Sequence, residues 1–196
     1  MKQMLKNWTR SPFFSSRLFF VVLIVIALFE FVDVITTENK QLIFEVELKN
    51  KEPQEDAIGQ DAQIVHAYKL LLKPEGWFYI VVLENNIGSS PLHLITFLIV
   101  WSCGLIVSLK LDPNDIFSHD LSRPLFIAAL SLILFFFIER YTHRSFRSVV
   151  QEITHNQYRL SLLEHSWMMW AGIGLLWLGK MMKRGYQLQK DHDLTI

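Results

Sequence analysis

The stretch PLHLITFLIVWSCGLIVSL, residues Pro91–Leu109, decides the fold, because its 19 residues include no Asp, Glu, Lys or Arg. A helix that rises 1.5 Å per residue needs roughly 20 such residues to cross the hydrocarbon core of a bilayer. Three more apolar runs accompany it: Leu18–Ile35, Pro124–Ile138 and Trp167–Met182. A soluble domain of 196 residues has too little interior to bury four apolar helices. We therefore predict an all-α membrane protein with four transmembrane helices and a small β-containing extracytoplasmic insert between spans one and two.

The charged segments between the runs define the predicted topology. If the N-terminus is cytoplasmic, the inner segments 1–17, 110–123 and 180–196 carry ten Lys and Arg in 48 positions, and the outer segments 36–90 and 139–166 carry nine in 83. This bias follows the positive-inside rule, so we place both termini in the cytoplasm. The predicted segments are a cytoplasmic N-terminus (1–17), span one (18–35), the extracytoplasmic insert (36–90), span two (91–109), a cytoplasmic loop (110–123), span three (124–138), an outer loop with an amphipathic helix (139–166), span four (167–182) and a cytoplasmic tail (183–196).

The predicted insert contains one clear strand pattern. Gln41–Lys49 alternates between apolar and mostly charged side chains, which is typical of a half-buried strand. A second apolar stretch, Trp77–Leu83, fits either a strand or a buried helix. A structural lid and a ligand-sensing cap both remain open for this segment.

Glu30, Asp33 and His93 form the candidate ion or proton site. Glu30 and Asp33 are three residues apart, which places them on one face of the first helix near its outer end. His93 lies one turn into the second helix, and ionisable groups in membrane segments are functional candidates by default. The alternative is that the two carboxylates mark the wetted end of the first span.

Arg140, Arg144 and Arg147 are candidate ligands for lipid headgroups. They fall on one helical stripe after the third apolar run, beside a second stripe of apolar residues. This pattern indicates an amphipathic helix in the membrane interface, with its arginines toward the phosphates. The alternative is a solvated basic helix that packs on neighbouring protein.

No sequence motif for catalysis or metal binding is present. The chain lacks a nucleophile–base pair, a glycine-rich phosphate loop and the paired Cys or His spacings of zinc sites. Its net charge is zero, whereas domains that bind nucleic acid are usually basic. We therefore predict that the protein is not an enzyme, has no cofactor and no metal, and makes no direct contact with nucleic acid.

Two stretches resemble an uncharacterised bacterial family of four-span membrane proteins, known only as a domain of unknown function. The first is LDPNDIFSHDLSRPLFIAALSL, residues 111–132, and the second is the closing GYQLQKDHDLTI, residues 185–196. The family has a Pro-Phe-Ser loop before span three and closes on Gly-x-x-Leu, two acidic positions and Leu-Thr-(Ile/Val). This chain departs from the pattern, because Ile116 stands where the proline is expected and His119-Asp120 where an asparagine is expected.

Members of that family are commonly encoded beside a small helix-turn-helix regulator, which implies a cytosolic partner of that type and a bacterial cytoplasmic (inner) membrane location. The candidate docking residues are Asp112, Phe117, Gly185, Leu188, Asp193, Leu194, Thr195 and Ile196. We expect Gly185 to end the fourth helix, since glycine favours the residue after a helix C-terminus. The tail beyond it can then dock on a partner or on the chain's own 110–123 loop.

The leading hypothesis is a non-enzymatic regulator or sensor whose cytoplasmic face contacts a transcriptional regulator. One alternative is a small transporter or channel component that uses the acidic residues of span one. The second alternative is a membrane enzyme that acts on lipid or envelope precursors. Membrane lipid is an expected partner in each case, and a homo-oligomer is left open.

Overall fold

The computed structural model describes residues 14–36, 42–48, 62–64, 69–72, 90–111, 116–156, 158–160 and 165–194. Within these residues the helices are α1 (Phe14–Thr36), α2 (Pro91–Lys110), α3 (Ser122–Ile153) and α4 (Ser166–Asp193), and the strands are β1 (Leu42–Leu48), β2 (Ala62–Ile64), β3 (Lys69–Leu72) and β4 (Tyr158–Leu160). The chain divides into two compact units. Unit 1 comprises residues 1–30, 95–134 and 166–196, and unit 2 comprises residues 31–94 and 135–165.

Two helices of the described residues, α2 and α3, are long and apolar enough to cross a membrane. The prediction of four transmembrane helices is therefore wrong. Charged residues interrupt the apolar stretch of α1, since Arg17 and Glu30 leave 12 uncharged residues between them. Such a stretch extends for roughly 18 Å, whereas the hydrocarbon core of a bilayer is about 30 Å thick. The apolar run of α4 contains several Trp and Gly residues, which are less apolar than the Leu, Ile, Val and Phe that dominate the runs of α2 and α3.

The strands form one antiparallel sheet in the order β2-β3-β1-β4, which belongs to unit 2. The first half of β1 pairs with β3, from Leu42 opposite Leu72, and its second half pairs with β4, from Val46 opposite Leu160. Because β4 follows α3 in the chain, the sheet is not built by the 36–90 segment alone. The predicted small β-containing insert between spans one and two is corrected accordingly: β1, β2 and β3 lie in the 36–90 segment, but the sheet also takes in β4 from after α3. The stretch at residues 77–83 lies outside the described residues.

Polar side chains begin α2 and α3. The backbone N–H of His93 donates to Ser90 Oγ at 3.2 Å, and Pro91 occupies the first helical position. Proline is suited to that position because its missing N–H would have no helical partner there. At the start of α3, the backbone N–H of Ser122 donates to Asp120 Oδ1 at 3.0 Å. Both caps fix where the long apolar helices begin.

The C-terminus of α3 has the hydrogen bonds of a Schellman motif. The N–H of Asn156 donates to the carbonyl of Gln151 at 2.8 Å, and the N–H of His155 donates to that of Glu152 at 3.2 Å. His155 and Asn156 have φ of 47° and 64°, in the left-handed region. A histidine there is strained by its Cβ, whereas asparagine tolerates the region better.

Two helices extend further than the sequence suggested. Residues 139–153, which we expected to form a separate amphipathic helix, continue α3 directly after its apolar part. The expectation that Gly185 ends the fourth helix is wrong, because α4 continues to Asp193. A glycine inside a helix costs about 1 kcal/mol relative to alanine, which is too little to end a helix held by packing.

In unit 1, α1 packs against α2 through a glycine and an arginine. A Cβ at Gly104 would lie 2.6 Å from Cε1 of Phe20, so only glycine admits the ring at its present position. Arg17 is buried, and its Nε–H donates to the carbonyl of Ser108 at 3.1 Å. Ser108 lies in the last turn of α2, whose carbonyls lack helical partners, so the guanidinium satisfies one of them.

Unit 1 also contains close contacts between α4 and α3. A Cβ at Gly172 would lie 2.7 Å from Cγ1 of Ile133 and 3.1 Å from the carbonyl oxygen of Ala129. Two turns later, a Cβ at Gly179 would lie 3.3 Å from Cβ of Leu125. Small residues at helix contacts let two backbones approach closely, which membrane helices use widely. These glycines therefore position α4 along α3.

Candidate functional site

A buried carboxylate–imidazole pair lies in unit 2. Glu139 on α3 is almost fully buried, with 4% of its side chain exposed, and His165 immediately before α4 has 19% exposed. His165 Nδ1 and Glu139 Oε1 are 2.7 Å apart, which is the distance of a charge-assisted hydrogen bond. A buried carboxylate is tolerated only when polar partners replace the lost water, and the imidazole is one such partner.

His93 extends this pair to a second imidazole. Its ring centroid lies 5.1 Å from that of His165, at an interplanar angle of 60°, and 5.1 Å from that of Phe135. His93 itself is buried, and the capped first turn of α2 sets the position of its backbone. The arrangement therefore brings together side chains from α2, α3 and the residue preceding α4. We call Glu139, His165 and His93 the imidazole–carboxylate cluster.

The imidazole–carboxylate cluster has the composition of a proton-binding site. Imidazole and carboxyl groups are the side chains that most often donate and accept protons in proteins. His143 and Thr142, on the next turn of α3 after Glu139, are buried too. Within the described residues, no group of three or more His, Cys, Asp or Glu side chains is arranged to hold a metal ion.

No protein-family model matches this chain, and no curated protein or solved structure matches it either.

Among the three residues of the predicted ion or proton site, only His93 is buried. Glu30 and Asp33 lie at exposed positions of α1, Glu30 in unit 1 and Asp33 in unit 2. The neighbours of the His93 ring include His165, next to Glu139, and Phe135. The grouping of Glu30, Asp33 and His93 as one site stays a prediction.

A second candidate site joins the loop before α3 to the end of α4, both in unit 1. The Phe117 ring occupies the space in which a Cβ at Gly185 would lie, so the glycine makes room for the ring. Asp120 belongs to the same loop, and its Oδ1 accepts from both the hydroxyl and the N–H of Ser122. These hydrogen bonds hold the pKa of the Asp120 carboxyl below its usual value, and the charges of Arg123 and Lys183 lower it further.

The end of α4 presents apolar side chains beyond this junction. Leu188 is 70% exposed and Leu194 is 75% exposed, although both are large aliphatic residues. Their neighbours on the helix are charged or polar, among them Lys190, Asp191 and His192. Of the other predicted docking residues, Asp193 is the last residue of α4, and Asp112, Thr195 and Ile196 lie outside the described residues.

The three arginines predicted to meet lipid differ in exposure. Arg140 and Arg144 are exposed on α3, whereas Arg147 is half-buried. The Arg140 guanidinium carbon lies 5.8 Å from the centroid of the Phe136 ring, within range of a cation–π contact. Arg140 and Arg144 are therefore accessible on the surface of the helix, whereas Arg147 is partly covered.

The sequence reasoning missed Glu139 and His165 as a pair. Glu139 served only as the charge that ends the third apolar run, and 26 positions separate the two residues in the chain. The rule that singled out Glu30, a carboxylate at the end of an apolar run, applies equally to Glu139 after FFFI. Its histidine partner has no local signal, because the pairing depends on how α3 and the residue before α4 pack.

Proposed function

We propose that the protein is a multi-pass integral membrane protein of a bacterial cytoplasmic (inner) membrane. The observation that carries this proposal is the low burial of the two membrane-length helices. In their most apolar 18-residue windows, 28% of α2 and 39% of α3 is buried. A core helix of a soluble protein would be mostly buried, because apolar surface in water costs roughly 25 cal/mol per Å². Lipid is the solvent that suits such helices.

Exposed apolar side chains on the other two helices support the same proposal. Within the described part of α1, Phe19, Phe29 and Val32 are more than half exposed, and on α4 so are Trp170 and Trp177. Monomeric soluble proteins rarely expose large contiguous apolar patches. Resistance of the native protein to alkaline carbonate extraction from bacterial membranes tests the location, and release into the soluble fraction contradicts it.

The proposed activity is that of a non-enzymatic regulator or sensor whose cytoplasmic face contacts a transcriptional regulator. The support is the end of α4, where Leu188 is exposed on the polar last turns of the helix and Leu194 is exposed directly after it. Such a segment can lay its apolar side chains in a groove of a partner. The contact between Phe117 and Gly185 holds this segment against the loop before α3, so a docked partner would contact the segment and the loop together. The helix-turn-helix nature of the partner rests on the family resemblance.

Site-specific photocrosslinking in native membranes tests this activity. A photoreactive residue replaces Leu188, and the matched control replaces Gln187, which is also exposed but polar and points about 100° away on the same helix. We expect an adduct with a cytosolic DNA-binding protein from position 188 and little from 187. An adduct only with residues 110–123 of the same chain would make the tail structural and refute the proposal.

The imidazole–carboxylate cluster favours a second candidate, a small transporter or channel component that moves protons or cations. Buried ionisable groups at membrane segments often form proton relays. Proteoliposomes with a pH-sensitive dye distinguish the two sites: Glu139→Gln should abolish a proton flux that passes the cluster, and Asp33→Asn should abolish one that passes the predicted site on α1. A flux that neither variant changes would remove this candidate.

A further inference from the structure

Four exposed side chains share one face of α3 around the end of its apolar run. They are Phe137, Arg140, Tyr141 and Arg144, and Tyr141 is 72% exposed. At 100° per residue, these positions fall within an arc of about 100°. The face therefore presents two aromatic rings and two guanidinium groups together. We call it the aromatic–arginine face.

The position of this face along the helix matches a membrane boundary. The uncharged run of α3 ends at Ile138, and Arg140 is the first basic residue after it. Tyrosine is enriched at the headgroup level, where its ring contacts apolar chains and its hydroxyl contacts water. Arginine side chains at this depth extend toward the phosphates. The acidic residue nearest to Arg140 in the chain, Glu139, is buried and belongs to the imidazole–carboxylate cluster.

The chemistry of the two arginines favours phosphate over other anions. Guanidinium is planar and donates two parallel hydrogen bonds to phosphate oxygens. Arg140 and Arg144 are four residues apart, so their Cβ atoms lie about 6 Å from each other on the helix, close enough for both side chains to reach one headgroup. The Phe136 ring beneath the Arg140 guanidinium restricts its orientation further.

We propose that Arg140 and Arg144 bind the phosphate of an anionic phospholipid, with Phe137 and Tyr141 packed against its glycerol and upper acyl chains. Arg147 is excluded from the site, because it is half-buried. The inference rests on the proposed membrane location and adds a lipid class and the residues that select it.

Native mass spectrometry of the full chain in a neutral detergent tests the site. The protein is titrated with phosphatidylglycerol, with cardiolipin and, as the zwitterionic reference, with phosphatidylcholine. A basic side chain near an anionic surface contributes a factor of about five to binding, so the double variant Arg140→Gln/Arg144→Gln should bind the anionic lipids about 25-fold more weakly. Arg140→Lys/Arg144→Lys keeps both charges and should lose less, because lysine cannot form the bidentate contact.

The controls separate this site from general charge and from free phosphate. Arg123→Gln removes an exposed arginine at the other end of α3, beside Asp120, and should change lipid binding less than twofold. Three results would overturn the inference. They are an equal loss of lipid binding in that control, no preference of the wild type for anionic lipid, and full displacement of lipid by 100-fold excess inorganic phosphate. Carbonate extraction of the same wild-type protein shows independently whether the membrane location holds, so the two failures are distinguishable.

Discussion

The contact between α4 and α3 predicts different effects for the same substitution at two neighbouring glycines. Gly172→Ala would place a methyl group 2.7 Å from Cγ1 of Ile133 and 3.1 Å from a backbone oxygen, whereas ordinary carbon contacts lie at about 3.5–4.0 Å. At Gly174, nothing lies within 4 Å of the added methyl group. Both substitutions gain about 1 kcal/mol of helix propensity, but only the first also incurs an overpacking cost of about 1–3 kcal/mol.

The propensity gain cancels in the comparison, so Gly172→Ala should be less stable than Gly174→Ala by about 1–3 kcal/mol. Cys103 is the only cysteine of the chain and is buried, so its alkylation by a maleimide on heating reports unfolding without any added label. In the same detergent, the Gly174 variant should protect Cys103 to a higher temperature than the Gly172 variant. Equal protection in both variants would refute the contact between α4 and α3.

Three further predictions follow from single interactions. In a double-mutant cycle of Glu139→Gln and His165→Gln, thermal unfolding should give a coupling energy of about 1.5–3 kcal/mol, the usual range for a hydrogen bond to a charged group. A coupling energy of zero would contradict the hydrogen bond between Glu139 and His165. Asp120→Ala should lower the free energy of unfolding by about 1 kcal/mol at pH 7, because the variant loses the hydrogen bonds of the cap. The pKa of Asp120 is lowered on folding, so this contribution is present above pH 3.8 and is lost as pH falls through the folded-state pKa. A variant as stable as the wild type at pH 7 would argue against the cap. His155→Gly should stabilise the protein by about 0.5–1 kcal/mol, because glycine relieves the positive φ, and a loss of stability on denaturant titration would contradict the Schellman geometry.

Local patterns in the sequence predicted the positions of most helices and strands, but not how many of the helices are long and apolar enough to cross a membrane. The 19-residue run from Pro91 to Leu109 predicts α2 almost to its ends, since Ser90 and Pro91 form a start signal and Lys110 closes the helix. The strand pattern of Gln41–Lys49 contains β1. Four spans did not follow, because the prediction did not weigh the charges within α1 or the Trp and Gly content of α4 against the more uniformly aliphatic runs of α2 and α3.

Features that depend on distant contacts had no local signal. The pairing of β1 with β4 joins residues more than 100 positions apart, so the sheet could not be assigned to one segment. Gly185 lies within α4, and the Phe117 ring packs where a side chain at that position would otherwise lie. The imidazole–carboxylate cluster likewise combines residues from three parts of the chain. Gly185 and Glu139, which mark boundaries in the sequence, are contact residues in the fold.

The most direct test of the membrane account is the accessibility of spin labels in a reconstituted bilayer. With Cys103 replaced by serine, one label is placed at Leu130, which is 56% exposed on α3, and another at Leu188 on the end of α4. The account predicts that the label at 130 collides with oxygen but not with a water-soluble nickel chelate, and that the label at 188 does the reverse. Nickel access at 130 equal to that at 188 would contradict the membrane location of α3.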